Sequence, residues 1–330
     1  MHMVRVKDQS TGIEYCYDAD LPIKTADSGL AFLVSQLAVL ESRIYETKYR
    51  KIVFAEFVPV DTSDPEFIDS VDYIFYDGVT AGKFIGANAK DLPQSDINAG
   101  KASIKVFYGG NSYGYSLDEL RKSQQLRMPV DATKGQMSYR GFQEHAQTVA
   151  FFGDAERGIT GLFNNANVQV ANSTVDWDDV GTTNDQRVAD MNAVLAAVWN
   201  NSAETHLPNV LALPSSKWQY ISSTRMAAGT DTTILEYFKK NNLFTAYTGQ
   251  ELTIKPNLEL ETAGVGGVGR MMAYELTPEN LVMKMPMAWR QLPPQPEGLT
   301  VQVPCEYKFG GVAFRYPGSA AYRDDYVSVT

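Results

Sequence analysis

Residue types that do acid–base, nucleophilic or metal chemistry are sparse in this chain, and their spacing suits none of it. Only three of the 330 residues are histidine: His2, His145 and His206. A zinc-hydrolase helix needs two histidines four residues apart, with a glutamate between them as base. Glu144 stands beside His145, but no second histidine lies four residues away. His206 falls in a loop between a helix and a strand, away from any cysteine or carboxylate cluster at ligand spacing. The two cysteines, Cys16 and Cys305, are too few and too far apart for a disulfide framework or a thiolate metal site. Trp177 is surrounded by Asp176, Asp178 and Asp179, which could line a carbohydrate or calcium loop. A solvated turn is the simpler reading. Residues 264–269, GVGGVG, match the G-x-G-x-x-G pattern. That fingerprint must follow a strand and open a helix, so that helix amides meet a pyrophosphate. Here the following residues are strand-like up to Pro278, so the expectation is a mobile glycine loop. With no phosphate-binding loop and no G-x-S-x-G elbow, no catalytic residue, cofactor or metal is expected. An enzymatic alternative would need a deep pocket lined by Asp176, Asp178 and His206.

Composition narrows the classes further. Hydrophobic residues make up 44% and charged residues 21%, as in an ordinary globular protein large enough for a sizeable core. The net charge of −10 opposes gripping nucleic acid by its phosphates, which takes a cationic surplus, and opposes adsorption to anionic membrane. No run approaches the roughly 18 apolar residues of a membrane span. Residues 1–20 carry Asp8, Glu14, Asp18 and Asp20 without an apolar core, so a secretory signal is not expected.

The elements that position these side chains follow in order. Residues 1–29 read as an extended arm. Residues 30–45 read as a helix with Leu33, Leu37, Leu40 and Ile44 on one face, capped by Asp27 or Ser28. Residues 52–60 are strand-like. In residues 70–77 Val71, Tyr73 and Phe75 alternate onto one side of a strand; Asp77-Gly78 signals a turn, and residues 83–87 are a candidate return strand. Residues 102–108 form another alternating strand. Residues 60–108 thus make a long ribbon-like excursion whose apolar face needs a second surface, because an isolated two-stranded ribbon is marginal in water. Residues 116–165 are the organising stretch. Ser116 and Glu119 form a capping-box signature, and Pro129 breaks that first helix. Asp131 is placed to cap a long helix to about residue 152, with Tyr139, Phe142, Ala146, Val149 and Ala150 on one stripe. Gly135 and Gly141 inside it either admit a close-crossing element or are merely tolerated. Strands and helices then alternate over about 160–268, including a helix at 185–201 and a strand at 210–213, as in a compact α/β unit. Residues 270–276, 281–285 and 299–315 are strand-like.

Two stretches resemble a known family. Phe151-Phe152-Gly153-Asp154 through Gly158-Ile159-Thr160-Gly161-Leu162-Phe163-Asn164-Asn165 looks like the exit of the spine helix in major capsid proteins of tailed bacteriophages, those of the Hong Kong 97-type fold. Residues 274–322, with Leu292-Pro293-Pro294-Gln295 and Gly310-Gly311-Val312 before Arg315-Tyr316-Pro317, are similar to the same family, and so is the order of elements. The resemblance spans roughly residues 28–325. It implies an α+β fold with an N-terminal arm (1–29), a first helix and strand (30–59) and an extended β loop (60–110). A peripheral domain with the spine helix (111–157 and 269–317) and an axial domain (158–268 and 318–330) complete it. It implies a structural subunit, not an enzyme, that self-assembles through hexamers and pentamers into an icosahedral virion capsid in the host cytoplasm. Expected partners are copies of itself, with scaffold, portal and decoration proteins and packaged DNA held without specific binding. The inter-subunit candidates are Val71, Tyr73, Phe75, Lys83, Phe84 and Lys90 of the extended loop. Some members cross-link a loop lysine to an asparagine of another subunit; no such cross-link is expected here. A cellular cargo compartment built on the same fold is the alternative.

Overall fold

The computed structural model describes residues 3–7, 14–18, 49–79, 84, 96–119, 121 and 130–326. It divides into two units, residues 1–51 and 52–330. In the first, strand Met3–Lys7 pairs antiparallel with Glu14–Asp18, Met3 opposite Asp18. The helix expected at 30–45 lies outside the described residues.

The second unit holds a five-stranded sheet in the order Thr253–Asn257, Val210–Pro214, Arg270–Tyr274, Ala320–Asp324, Gln169–Asn172. Arg270–Tyr274 runs antiparallel to both its neighbours, while the outer pairs are parallel. Val210–Pro214 and Arg270–Tyr274 are buried at every position. Such unbroken apolar runs mark strands covered on both faces. Alternation then sends successive side chains to two cores. Leu211, Leu213, Met271, Ala273 and Ala321 meet Met191, Leu195 and Val198 of helix Asn184–Asn201, with Ile221 and Phe238. Val210, Ala212, Met272, Tyr274 and Tyr322 face the opposite core, with Phe57, Phe151 and Phe163. Helix Asn184–Asn201 starts where Thr183 and Gln186 close a reciprocal capping box. The sheet draws on residues 270–274 and 320–324, on either side of the segment between them.

The long helix Val130–Phe152 lies against a second sheet. Its buried stripe includes Ser138, Phe142, Ala146, Val149 and Ala150, and the Phe142 ring sits 4.9 Å from Tyr307 and 6.3 Å from Phe309. Tyr139, placed on that stripe by its spacing, is 43% exposed at its edge and packs on Trp289. Asp131 falls inside the helix and not ahead of it. A β-carbon at Gly135 would stand 3.3 Å from Gln291 Nε2, and one at Gly141 would stand 3.6 Å from Asn111 Nδ2. The element crossing these glycines is therefore the chain's own sheet.

The helix exit explains its glycines. Gly153, at φ 70°, turns the chain into a two-residue hairpin with Ile159–Thr160. The chain then returns along the helix end: the amides of Leu162 and Phe163 donate to the Ala150 and Phe151 carbonyls at 2.8 and 2.9 Å, and Asn164 Nδ2 donates to the Phe152 carbonyl. These carbonyls have no partner within a helix end. Gly161 lies so close to the Phe151 carbonyl that a β-carbon has no room.

Two local expectations differ. Residues 52–60 hold the short helix Phe54–Phe57 and only a two-residue strand, Val60–Asp61, because Phe54 and Phe57 turn into the core together. The 299–315 strand is two, Thr300–Gly310 and Val312–Phe314, separated at Gly311.

Candidate functional site

The second sheet contains the feature on which function turns. Strand Asp96–Ser116 is 21 residues long and changes partner midway. Residues 106–116 pair with Thr300–Gly310 in the body. Residues 96–105 pair with Ser70–Val79, Ser70 opposite Lys105 and Val79 opposite Asp96. The partner of Ser70–Val79 is thus this strand; the return strand expected at 83–87 lies outside the described residues apart from Phe84, which has no assigned secondary structure. Ten residue pairs make this ribbon, a length of roughly 30 Å at strand rise.

Opposed residues of an antiparallel pair share a face, so the register separates two faces. One carries Val71, Tyr73 and Phe75 opposite Ile104, Ala102 and Gly100. Val71 and Tyr73 are half-buried, and the Phe75 ring lies over Gly100, filling the space a β-carbon would take. The other carries Ile74, Tyr76 and Ile97, which are 63%, 72% and 66% exposed. Phe84 is fully exposed, and Lys83 and Lys90 lie outside the described residues. The alternation reading thus found the more covered face and missed Ile74, Tyr76 and Ile97. The signal was the unbroken apolar run Tyr73-Ile74-Phe75-Tyr76, which loads both faces of a strand. Lys101 bridges to Asp72 across the ribbon at 2.8 Å, and with Ser103 it holds the Asp72 carboxyl below its usual range. At the ribbon's root a cleft of about 370 Å³ opens between Tyr73, Ile104, Arg157, Thr160, Asn165 and Phe314.

The residues singled out for chemistry are dispersed into structural roles. His145 Nδ1 lies 2.7 Å from the Tyr307 hydroxyl, and burial, with Arg157 nearby, pushes its pKa down. His206 Nδ1 is 2.8 Å from Glu275, which also accepts from Asn280. Trp177 Nε1 donates to buried Asp190, which also pairs with Arg323. The open hollow beside Trp177 is lined by Asp178 and Asp179 but by neither Asp176 nor His206, so the three residues that an enzyme reading required do not converge. Residues 264–269 form a tight turn, Gly264 N–H to Val268 carbonyl at 2.8 Å, that leads into strand Arg270–Tyr274 and not into a helix. Among the described residues no group of three or more His, Cys, Asp or Glu side chains is placed to hold a metal, and no helix is long and apolar enough to cross a membrane.

Residues 80–326, well over half the chain, match the family model described as major capsid protein. No curated protein sequence matches the chain. Among solved structures it is similar to the capsid of Myoviridae phage XM1, at 12% identity and a TM-score of 0.74 over 86% of this chain and 95% of that one. It is also similar to the capsid of a native GTA particle, at 10% identity and a TM-score of 0.60 over 86% and 94%. A Microbacterium phage Oxtober96 chain matches at 11% identity and 0.57, over 86% and 94%.

Proposed function

The chain belongs to the major capsid protein family and is a structural subunit of a capsid shell, and from this premise we propose that it closes an icosahedral phage shell through hexamers and pentamers of itself around double-stranded DNA. The observation that carries this reading is the ribbon. A two-stranded element with exposed isoleucine and aromatic side chains gains its stability from a partner surface, and heterologous contacts repeated around an axis close into rings and shells. We assign Val71, Tyr73, Phe75, Lys83, Phe84 and Lys90 to that contact, and add Ile74, Tyr76 and Ile97. The division into arm, extended loop, peripheral domain (111–157 and 269–317) and axial domain (158–268 and 318–330) fits this role best with strand Arg270–Tyr274 counted in the axial sheet. The role is structural, without catalysis, metal or cofactor. Assembly takes place in the host cytoplasm, with scaffold, portal and decoration proteins as further partners. The acidic net charge keeps packaged DNA from adhering by its phosphates.

The test is direct. Purified full chain, sized by light scattering and viewed by negative-stain electron microscopy, is expected as hexamers, pentamers or shells. A monomer that persists across pH, salt and concentration overturns the reading.

A further inference from the structure

The ribbon is joined to the body twice. One joint is the unbroken strand through Lys105 and Val106, where its pairing partner changes from Ser70 to Gly310. The other is the segment 61–69, which leads into Ser70–Val79. This segment has little regular structure, yet four of its residues are carboxylates, and each faces a cation of the body. Asp61 and Asp64 both reach Lys284 Nζ, at 2.6 and 2.8 Å. Glu66 reaches Arg290 at 2.8 Å, and Asp69 reaches Lys308 at 2.8 Å. The three cations stand on strands Leu281–Lys284, Met287–Gln291 and Thr300–Gly310. The other groups facing them are Glu306, which pairs with Arg290, and the Tyr108 hydroxyl, which donates to Glu306.

The two ends of the segment differ. At the inner end Lys284 is buried and Asp61 is also tied by backbone, its carbonyl accepting from Met285 N–H at 2.8 Å. Lys284 and Ser63 hold the Asp61 carboxyl far below its usual range. At the outer end Asp69 is 93% exposed at its side chain and Glu66 is 55% exposed. Its backbone is tied by Val106 N–H, which donates to the Asp69 carbonyl at 2.9 Å. Exposed pairs are weak and are screened by salt. Lys308, however, is only 8% exposed, so opening its pair leaves a desolvated ammonium that draws a carboxylate back.

We propose that residues 61–69 are an ionic strap with a fixed inner end and a releasable outer end, and that the Glu66–Arg290 and Asp69–Lys308 pairs set the angle at which the ribbon leaves the body. The strap acts as a tie: with both pairs closed the ribbon has two attachments and one direction. With them open, the outer end of the strap is held by the Val106–Asp69 backbone bond without its ion pairs, and the ribbon pivots about residues 105–106.

The experiment compares wild type with the double variant Glu66→Gln/Asp69→Asn and with Lys308→Met, each in 0.05 M and 1 M sodium chloride. Two readouts are taken. One is amide hydrogen exchange of residues 62–69. The other is the pulsed-EPR distance between labels at Asn98→Cys on the ribbon and Asn201→Cys on the body, in a Cys16→Ser background diluted with unlabelled chain. Wild type at low salt is expected to give one narrow distance. Both variants at either salt, and wild type at high salt, are expected to give a broadened or shifted distance and roughly three- to tenfold faster strap exchange. Lys308→Met leaves Asp69 in water and buries no charge, so it tests the idea even if the double variant folds poorly. Distances and exchange that are the same in all six samples overturn the proposal; a response to the variants without one to salt overturns its releasable end. Neither readout requires that shells form, so failure here is distinguishable from failure to assemble.

Discussion

Replacing Ile74, Tyr76 and Ile97 together with serine removes the apolar side chains of the more exposed ribbon face. Each is about two-thirds exposed in the free subunit. Burying such a side chain fully is worth roughly 2 kcal/mol, so covering the exposed part on a neighbour contributes about 1–1.5 kcal/mol each and about 4 kcal/mol for the three. Differences of this kind between variants are sounder than an absolute affinity from area. At ~1.4 kcal/mol per tenfold, the subunit concentration at which assembly begins should rise by roughly a thousandfold. The same substitutions should change the stability of the separated subunit by less than about 0.5 kcal/mol, because these side chains are already in water. Light scattering against concentration gives the first quantity and urea unfolding of dissociated subunits gives the second. A triple variant that assembles at the wild-type concentration refutes the assignment of this face to a contact. So does a large loss of subunit stability, which would mean the ribbon is held by its own chain.

Three further outcomes follow from the interior. Asp324→Ala strips the carboxylate from Arg270, 5% exposed and bound at 2.5 and 2.8 Å, and should cost about 3–5 kcal/mol in denaturant unfolding, against almost nothing for the exposed Asp178→Asn. Burial lowers the His145 pKa below its ordinary 6.5, so the unfolded chain takes up the proton first. Stability should be level above pH 7 and fall as pH drops through about 6.5 to the lower folded value; unfolding against pH in His145→Gln should lack that decline. Gly161→Ala drives a methyl into the Phe151 carbonyl and should cost about 3 kcal/mol or leave the chain insoluble, whereas Gly318→Ala, with open space around it, should melt as wild type does.

Much of the local structure was legible in the residues, since capping, alternation and helical spacing act between neighbours a few positions apart. The helix read at 185–201 is helix Asn184–Asn201. Phe142, Ala146 and Val149 mark the covered stripe of the long helix. The all-apolar Val210-Leu211-Ala212-Leu213 marks a strand with no wet face. Gly153-Asp154 marks the exit of the long helix, while the doubling back along it came only with the structure. The ribbon was half legible: periodicity located the face with Tyr73 but not the one with Tyr76, because a run apolar at every position has no period to read. What remained hidden was partner choice. Nothing local in Ala102–Tyr108 says that the strand leaves Ser70 for Gly310 at residue 106, nor does anything in Asp61 or Asp69 point to Lys284 or Lys308 more than 200 positions away. Those pairings exist because burying both faces of one sheet and neutralising cations inside another are satisfied together only once the whole chain has closed, so the sequence by itself determined most of the strands and helices, while tertiary burial decided which of them meet and made a helix of residues 54–57, where a strand was expected.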